Sequence, residues 1–422
     1  MRYAKYKPTG IAWLPEVPEE WEMRPLKEMV SCNDEAISES DTPNDAEIQY
    51  VEIGDVEFAS GIANVTVMKF GEAPSRARRK TRAGDVIVST VRTYLRAVAK
   101  IVRDDLIVST GFAVLRPKTV SGDYLSYACV SNGFTDQVIA ESTGISYPAI
   151  SSSKLMRCRI PCPPLSTQRA IVAFLDEKCG KVNRLVAAKE KEVALLKELK
   201  QSMIAEAVTR GVRANRRLIP SGIPWLPEVP EGWKMKKMKY LFAERSDKGH
   251  PEEAPLCSTQ AHGVIPQSLY ENRVVVVNKE GLGQLKLVKV GDFVISLRSF
   301  QGGIEIAHYQ GIISAAYTIL EPRDSLNSPY FRYLFKSHAF IQLLQTCVTG
   351  IREGQNINYP LLSRKFIPLP PLAEQREIVA YIEARATKID AAVVGLEKEI
   401  VALKEYKQRL IADVVTGQRR VA

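Results

Sequence analysis

The chain has 422 residues, of which 45% are hydrophobic, and it carries a formal net charge of +10 with a pI near 9.1. This length predicts two to three domains, and the positive charge favours an acidic partner, nucleic acid first. The sequence shows no apolar run long enough for a membrane span, and its first residues lack the apolar core of a signal peptide. Seven cysteines without a C-x-x-C pair indicate reduced thiols rather than disulfides or zinc. We therefore expect a cytoplasmic protein with no membrane partner.

The amino-terminal segment occurs twice in the sequence. Residues 9–21 read TGIAWLPEVPEEW and residues 222–233 read GIPWLPEVPEGW, and Gly10 and Gly222 are 222 − 10 = 212 positions apart. These two segments hold all four tryptophans of the chain. Aromatic residues among prolines predict an extended segment that anchors on a domain surface. Stacking of the tryptophans on nucleic-acid bases is the less favoured interpretation.

Each opening segment is followed by a stretch in which strand-like and helix-like patterns alternate. A Gly-Asp turn starts one strand in each half, at Gly84-Asp85 and at Gly291-Asp292. The predicted strands are 48–53, 85–90, 97–102, 107–115 and 155–160 in the first half, and 273–277, 292–297, 304–307, 312–320 and 362–367 in the second. The predicted helices are 124–132 and 330–338, and a Thr-Gly-Ile loop recurs at 143–145 and 349–351. Each half is therefore predicted to contain one mixed α/β domain.

A proline-led helical segment follows each of these domains and is also repeated. The first copy reads PPLSTQRAIVAFLDEK from Pro163 and the second reads PPLAEQREIVAYIEAR from Pro370, at an offset of 370 − 163 = 207. Such a long gapless self-match indicates two half-chains in tandem. Ser166 is a candidate N-cap. Gly180 predicts a break between a short helix and a helix of ~28 residues, which would be roughly 42 Å long.

Apolar positions in the long helices alternate in steps of four and three, which is the period of a coiled-coil seam. Lys200 and Lys407 occupy equivalent seam positions, where a polar residue sets the register. Matching seams favour antiparallel packing of one copy on the other over two amphipathic helices on separate globular domains. The predicted seam residues are Val182, Val186, Val193, Leu196 and Met203 in the first copy, and Ile389, Val393, Leu396, Ile400, Leu403 and Leu410 in the second.

The predicted fold class is α+β, with two tandem α/β domains joined by two long helices that form an antiparallel coiled coil. The internal repeat gives this arrangement a pseudo-twofold character. We predict a first domain at 1–162, a helical segment at 163–212, a second domain at 213–369 and a second helical segment at 370–422.

The framework is repeated but the polar loops are not, as expected if the two domains read different targets. Arginine and lysine suit phosphate and guanine, and glutamine and asparagine suit adenine. The candidate DNA-binding residues are Arg76, Arg78, Arg79, Lys80, Arg82, Arg92, Tyr94 and Arg96 in the first half, and Lys286, Arg298, Gln301, Arg352, Gln355 and Asn356 in the second. The alternatives are a solvated basic loop at 75–82, an ordinary strand end at 92–96 and turn-forming asparagines at 351–359.

Catalytic sequence motifs are missing from the chain. It contains no N-P-P-Y or D-P-P-Y tetrapeptide, no phosphate loop, no H-E-x-x-H and no G-x-S-x-G. All four histidines lie in the second half, whereas a duplicated enzyme would be expected to repeat its acid and base residues. We therefore expect a protein that is not an enzyme and that uses no catalytic residue, metal or cofactor of its own.

The pattern as a whole resembles the specificity subunit of type I restriction–modification systems. The resemblance rests on two variable domains, each preceded by a Trp-Leu-Pro-x-Val-Pro segment and followed by Pro-Pro-Leu-x-x-Gln-Arg-x-Ile-Val and a long heptad helix. It covers essentially the whole chain. The first copy departs from the acidic opening Ala373-Glu374 by carrying Ser166-Thr167, so its helix is expected to start differently.

This resemblance implies a function and a set of partners. Each domain would be a target-recognition domain that reads one part of a bipartite, asymmetric sequence in double-stranded DNA, and the coiled coil would set the gap between the parts. Two methyltransferase (modification) subunits would dock on the helices, and restriction subunits would join them. S-adenosylmethionine and ATP would belong to those partners, and this chain would bind neither. The competing interpretations are a fused nuclease or methyltransferase, and a coiled-coil adaptor that binds only proteins.

Overall fold

The computed structural model describes residues 2–58, 60–270, 279–323, 326–349 and 356–421, with side chains for all of these except 279, 280 and 328. The chain forms two compact units. Unit 1 consists of Met1–Glu190 and Glu397–Ala422, and unit 2 consists of Lys191–Leu396. Each unit holds one α/β domain together with one end of each of the two long helices.

The described part of unit 1 builds its domain around two four-stranded sheets. The first sheet has the strand order Val98–Lys100, Val86–Ser89, Phe112–Pro117, Val30–Cys32, and the second has the order Thr66–Lys69, Glu47–Val51, Leu106–Ser109, Ala77–Lys80. The remaining strands are Tyr6–Ile11, Leu14–Pro18, Glu22–Pro25, Val56–Glu57, Gly61–Ile62 and Arg159–Cys162, and the helices are Gly122–Val130, Asn132–Ala140 and Ser152–Leu155.

Unit 2 repeats the first of these sheets. Its four-stranded sheet has the order Phe242–Arg245, Thr318–Pro322, Phe293–Ile295, Glu305–Ile306, which is the order of the first sheet of unit 1 read from its other edge. The remaining described strands are Leu218–Ile223, Leu226–Pro230, Lys234–Lys237, Leu256–Thr259, Gly263–Pro266, Lys286–Val288, Gly311–Ile313, Val348–Thr349, Asn356–Ile357 and Phe366–Leu369. The helices are Ser299–Gly302, Ser328–Leu334, His338–Gln345 and Tyr359–Leu362.

The strand predicted at 107–115 is two strands in the structure, so that prediction is wrong. Leu106–Ser109 belongs to one sheet of unit 1 and Phe112–Pro117 to the other. A β-carbon at Gly111, between them, would lie 2.8 Å from the terminal methyl group of Ile53, so a larger residue at this corner would require that side chain to shift. Because both strands are buried, the apolar run does not reveal where the chain changes sheet. The strand predicted at 312–320 is divided in the same way, into Gly311–Ile313 and Thr318–Pro322.

Two further predicted strands begin later than expected, and one lies outside the described residues. The segments predicted at 155–160 and 362–367 start with the ends of the short helices Ser152–Leu155 and Tyr359–Leu362. Their strands run over Arg159–Cys162 and Phe366–Leu369. The strand predicted at 273–277, and Gly350 and Ile351 of the second Thr-Gly-Ile loop, fall outside the described ranges.

The Trp/Pro segments are β-hairpins with the same register in both units. Tyr6 lies opposite Pro18 and Ile11 opposite Leu14, and the second hairpin repeats these pairs as Leu218 with Pro230 and Ile223 with Leu226. Each hairpin is followed by a tryptophan that is buried in the core of its own unit, Trp21 in unit 1 and Trp233 in unit 2. The tryptophans therefore anchor the opening segments to their domains, as their pattern predicts.

The glutamine of the repeated Pro-Pro-Leu motif ties each long helix to the domain before it. The side chain of Gln168 is buried, donates to Pro163 O at 2.9 Å and accepts from the backbone N–H of Ser121 at 2.9 Å. Gln375 is equally buried and donates to Pro370 O at 2.8 Å. It accepts from the backbone N–H of Asn327 at 3.1 Å. Ser121 and Asn327 are N-cap residues of helices in their domains, so the same glutamine bridge is built in both units.

The repeated helical segments are two uninterrupted helices, Leu165–Arg210 with 46 residues and Leu372–Val415 with 44. At 1.5 Å per residue they are roughly 69 and 66 Å long. The predictions of a break at Gly180 and of an N-cap at Ser166 are wrong, because both residues lie inside the first helix. Glycine in a helix interior costs only about 1 kcal/mol relative to alanine. Burial of the neighbouring Cys179 and Val182 offsets this cost.

The two long helices pair in antiparallel fashion, which confirms the predicted coiled coil. In unit 1, Lys407 Nζ donates to Asn183 Oδ1 at 2.8 Å and Lys404 Nζ lies 3.0 Å from Glu190 Oε1. The residue numbers thus fall along the second helix as they rise along the first. In unit 2, Lys200 Nζ lies 2.7 Å from Asp390 Oδ2. The seam side chains predicted from the heptad period are buried or half-buried.

Candidate nucleic-acid interface

The basic run at 75–82 is not a free loop, because residues Ala77–Lys80 form the edge strand of the second sheet of unit 1. Four of its cations face carboxylates of the same unit. Arg76 pairs with Glu52 at 2.5 Å, Arg78 with Glu39 at 2.6 Å, Lys80 with Asp105 at 3.7 Å and Arg82 with Glu35 at 2.5 Å. The hydrogen bond to Glu52 raises the pKa of Arg76.

These ion pairs differ in exposure, and the difference bears on which cation can reach phosphate. Arg76 and Arg82 keep more than half of their side chains exposed, whereas Arg78 is 22% exposed and lies 5.1 Å from the centre of the Phe70 ring. Arg79 is half-buried, and its Nε has no hydrogen-bond partner among the described atoms. Exposed ion pairs contribute about 0–1 kcal/mol, so Arg76 and Arg82 can exchange their carboxylates for phosphate at little cost.

The second predicted group, Arg92, Tyr94 and Arg96, surrounds a short 3₁₀ turn at Thr93–Leu95. Arg92 and Arg96 both have left-handed backbone conformations, with φ of 52° and 51°. The turn leaves the Tyr94 side chain 53% exposed. Strained backbone of this kind is concentrated at functional sites.

Arg96 is directed away from this exposed surface. Its guanidinium binds Asp136 at 2.6 Å and Thr135 at 3.0 Å, on the helix Asn132–Ala140. It also lines a cavity of about 1000 Å³ in unit 1 together with Asn132 and Val186. The geometry therefore gives Arg96 a structural role in positioning the turn and separates it from Arg92 and Tyr94.

The loop that begins with Thr143-Gly144-Ile145 lies beside Arg92, and none of its residues is among the predicted DNA-binding residues. Residues 144–148 expose the side chains of Ile145 and Tyr147, and the Arg92 guanidinium lies 5.1 Å from the centre of the Tyr147 ring. A large aliphatic and an aromatic residue among Ser, Gly and Pro could have marked this loop in the sequence.

The predicted residues of unit 2 are less closely grouped. Arg298 and Gln301 are exposed on the short helical turn Ser299–Gly302, where Arg298 is the N-cap. Lys286 instead donates to Tyr317 O at 2.7 Å, within the domain. Asn356 is exposed in the short strand Asn356–Ile357. Arg352 and Gln355 lie outside the described residues.

Neither a metal site nor a membrane helix is found in the parts of the chain that the structure describes. No group of three or more His, Cys, Asp or Glu side chains there could hold a metal ion. No helix within those ranges is long and apolar enough to cross a membrane. All seven cysteines are free thiols, and most of them are buried.

Known proteins similar to this chain share one description. Residues 18–194 match the family model described as a type I restriction modification DNA specificity domain. The chain is 24% identical over 440 residues to the protein named as the MjaX specificity subunit of a type I restriction enzyme from Methanocaldococcus jannaschii, across 99% of this chain and 97% of that one. It is 23% identical over 311 residues to the EcoBI specificity subunit of Escherichia coli, across 68% of this chain and 64% of that one.

The fold is also found among solved structures. One structure, reported for complex assembly and conformational transition of the type I R-M system, matches with a TM-score of 0.69 and 24% identity. That match covers 96% of this chain and 99% of the other. The likeness therefore includes both α/β domains and both long helices.

Proposed function

Because this chain belongs to the family of type I restriction–modification specificity subunits, we propose that it reads a bipartite, asymmetric sequence in double-stranded DNA. Each α/β domain would read one part of the site. The observation that carries this proposal is the contrast between the repeated framework and the unlike polar loops. The four-stranded sheet has the same order in both units, whereas the segment after the equivalent strand carries Arg92 and Tyr94 in unit 1 and Arg298 and Gln301 in unit 2.

Several exposed groups in unit 1 support DNA binding. Arg76 and Arg82 are more than half exposed, and Tyr94 lies in a short turn that the left-handed residue Arg92 precedes. Phosphate contacts position a protein on the duplex, and only contacts to base edges carry sequence information. We assign Arg76 and Arg82 to the phosphates, and Arg92 and Tyr94 to the part of the surface that approaches the bases.

The long helices are proposed to set the gap between the two parts of the site and to bind the methyltransferase subunits. Large apolar side chains outside the seam support such docking, because they are about half exposed: Leu185, Val401 and Tyr406 in unit 1, and Leu195, Leu199 and Val394 in unit 2. Exposed apolar surface of this kind marks protein contacts. Co-purification of a methyltransferase subunit with the L195E/L199E variant would decrease. The methyl transfer and DNA cleavage would be carried out by the methyltransferase and restriction subunits, with S-adenosylmethionine and ATP as their cofactors.

Shortening both helices by one heptad tests the proposed spacer. Deleting residues 190–196 and the equivalent residues 397–403 preserves both seams and removes ~10.5 Å, or about three base pairs, from the helix length. The site recovered from random duplex DNA should therefore have the same two sequence parts with a shorter gap. Deletion from one helix alone is the matched control and should disrupt the pairing. An unchanged gap in the double deletion would contradict the spacer role.

A further inference from the structure

Hydrogen bonds join two neighbouring loops of unit 1 at their bases. Thr143 and Ala149 exchange both backbone hydrogen bonds, at 2.9 Å each, and so close residues 144–148 into a tip, here called the tip loop. The amide of Thr93, in the neighbouring turn, donates to Pro148 O at 3.4 Å. The Thr93 hydroxyl also lies 2.8 Å from that of Ser142, just before the tip loop. These hydrogen bonds therefore hold the base of the tip loop in place.

The side chains on this tip loop are apolar and unburied. Ile145 is fully exposed, at 101% of its reference area, and Tyr147 is 63% exposed. Tyr94 and Leu95 of the neighbouring turn are 53% and 40% exposed. A fully exposed isoleucine contributes nothing to the core of the domain, and a cluster of exposed apolar side chains marks a binding surface.

The cationic side chain of Arg92 lies beside the exposed aromatic ring of Tyr147. The Arg92 guanidinium lies 5.1 Å from the centre of the Tyr147 ring, and the Arg92 backbone is left-handed, with φ of 52°. Arg92 is therefore held beside the aromatic ring at the edge of the tip loop. Adjacent apolar, aromatic and cationic groups match the chemistry of the base stack and its phosphates.

We propose that the tip loop inserts Ile145 into a base step of the duplex and distorts the DNA there. This proposal rests on the DNA-binding function proposed above. Tyr147 packs against the exposed base edge or sugar beside the opened step, and Arg92 approaches the neighbouring base edge. Isoleucine is one of the side chains that proteins use as a wedge between base pairs, because unstacking a step exposes an apolar cavity that it can fill. The recognition of the first part of the site would then include DNA deformability as well as base contacts.

The test compares I145A with a matched control in the full chain, bound to its methyltransferase partner. Val102 is also in unit 1 and is 76% exposed, so V102A removes a comparable apolar side chain away from the tip loop. A series of target duplexes carries 2-aminopurine at successive positions, and its fluorescence rises where a base is unstacked. Base flipping by the methyltransferase also produces such a signal, at the base that it modifies, and this provides an internal reference.

We expect the wild type and V102A to unstack one step that is separate from the modified base. I145A should lose the signal at that step, keep the signal at the modified base, and bind the duplex roughly tenfold more weakly. Its thermal unfolding midpoint should be unchanged, because the Ile145 side chain is exposed. If I145A shows the fluorescence and the affinity of the wild type, the proposed insertion of Ile145 is wrong, while the proposed DNA-binding function stands. Absence of DNA binding by the wild-type complex would overturn both.

Discussion

Unit 1 and unit 2 bury an equivalent aspartate but hold it with an arginine from different strands. In unit 1, Asp85 accepts two hydrogen bonds from Arg116, at 3.0 and 2.9 Å. In unit 2, Asp292 accepts from Arg245 at 2.8 Å. Arg116 lies on Phe112–Pro117, which neighbours the strand that begins after Asp85. Arg245 lies on Phe242–Arg245, which is separated from the strand that begins after Asp292 by one strand, Thr318–Pro322.

Each arginine also pairs with a second acid, and this acid too comes from a different position in the two units. Leu115 and Leu320 lie opposite equivalent residues, so the register places Glu321 where unit 1 has Arg116. Glu321 pairs with Arg245 at 2.7 Å, and Arg116 pairs with Glu35 at 2.6 Å. The duplicated fold therefore preserves the charge balance around the buried aspartate rather than the position of each residue. Equivalent backbone folds can therefore be stabilised by different arrangements of charged side chains.

The largest predicted effect comes from removing either arginine. R116A leaves the Asp85 carboxylate, which is 2% exposed, without its guanidinium, and should destabilise unit 1 by roughly 3 kcal/mol or more. R245A should do the same to unit 2, because the Asp292 side chain is 3% exposed. Hydrogen exchange should show lost protection in one unit for each variant. R76A is the control, since its exposed pair with Glu52 contributes about 1 kcal/mol or less. Equal effects of R76A and R116A would contradict this assignment.

A second difference between the units predicts a pH dependence confined to unit 2. The register position of Ala99 in unit 1 is occupied by Glu305 in unit 2, where it contacts Lys336. Burial raises the pKa of Glu305 to about 7. As pH rises from about 4.5, the unfolded chain loses this proton first, so the stability of unit 2 should fall until about pH 7 and stay lower above it.

The E305Q variant checks this pH dependence. It should remove most of the decline and stabilise unit 2 by about 1–3 kcal/mol at pH 8 relative to the wild type, with little difference at pH 4.5. E231Q, at a carboxylate that is 59% exposed in the same unit, is the matched control. Chemical unfolding at both pH values supplies the measurement. A wild-type pH profile in E305Q would show that Glu305 is ionised without penalty.

The smallest predicted effect concerns the seam lysines. Lys200 binds Asp390 at 2.7 Å in unit 2, whereas its equivalent Lys407 binds Asn183 at 2.8 Å in unit 1. Asn183 and Asp390 are themselves equivalent, at the offset 390 − 183 = 207. N183D should therefore stabilise the helix pair in unit 1, and D390N should destabilise it in unit 2, each by about 1 kcal/mol or less. Hydrogen exchange of the helices measures both, and effects of the same sign would contradict the assignment.

Repetition in the sequence predicts much of the architecture, because the repeated Trp/Pro segments and the repeated Pro-Pro-Leu segments form the same local structure in both units. The offset of 207 predicts the two domains and the long helices, and the four-three spacing predicts that the two helices pair. Gly180 does not break the first long helix, because a helix stabilised by packing tolerates a glycine. Gly111 was overlooked because the apolar run continues through a corner between buried strands. These errors concern tertiary packing, which local pattern does not contain.

The candidate site was less predictable than the fold. The cations of the 75–82 run were recognised, but their partners Glu35, Glu39 and Glu52 come from distant positions in the chain. Arg92 and Arg96 are four residues apart yet face different surroundings, because the helix Asn132–Ala140 binds only Arg96. The sequence does not show that the fold brings Tyr147 of the tip loop to Arg92. Charge and spacing indicate a binding class, whereas the fold decides which side chains share a surface.

The most direct measurement is a selection from random duplex DNA with the full chain and its methyltransferase partner, repeated for variants of each unit. The wild type should recover two different short sequences at a fixed gap. R92A/Y94A in unit 1 should relax the preference in one of them, and R298A/Q301A in unit 2 should relax the other. A single contiguous site, or variants of both units that alter the same sequence, would contradict the account that each domain reads its own part.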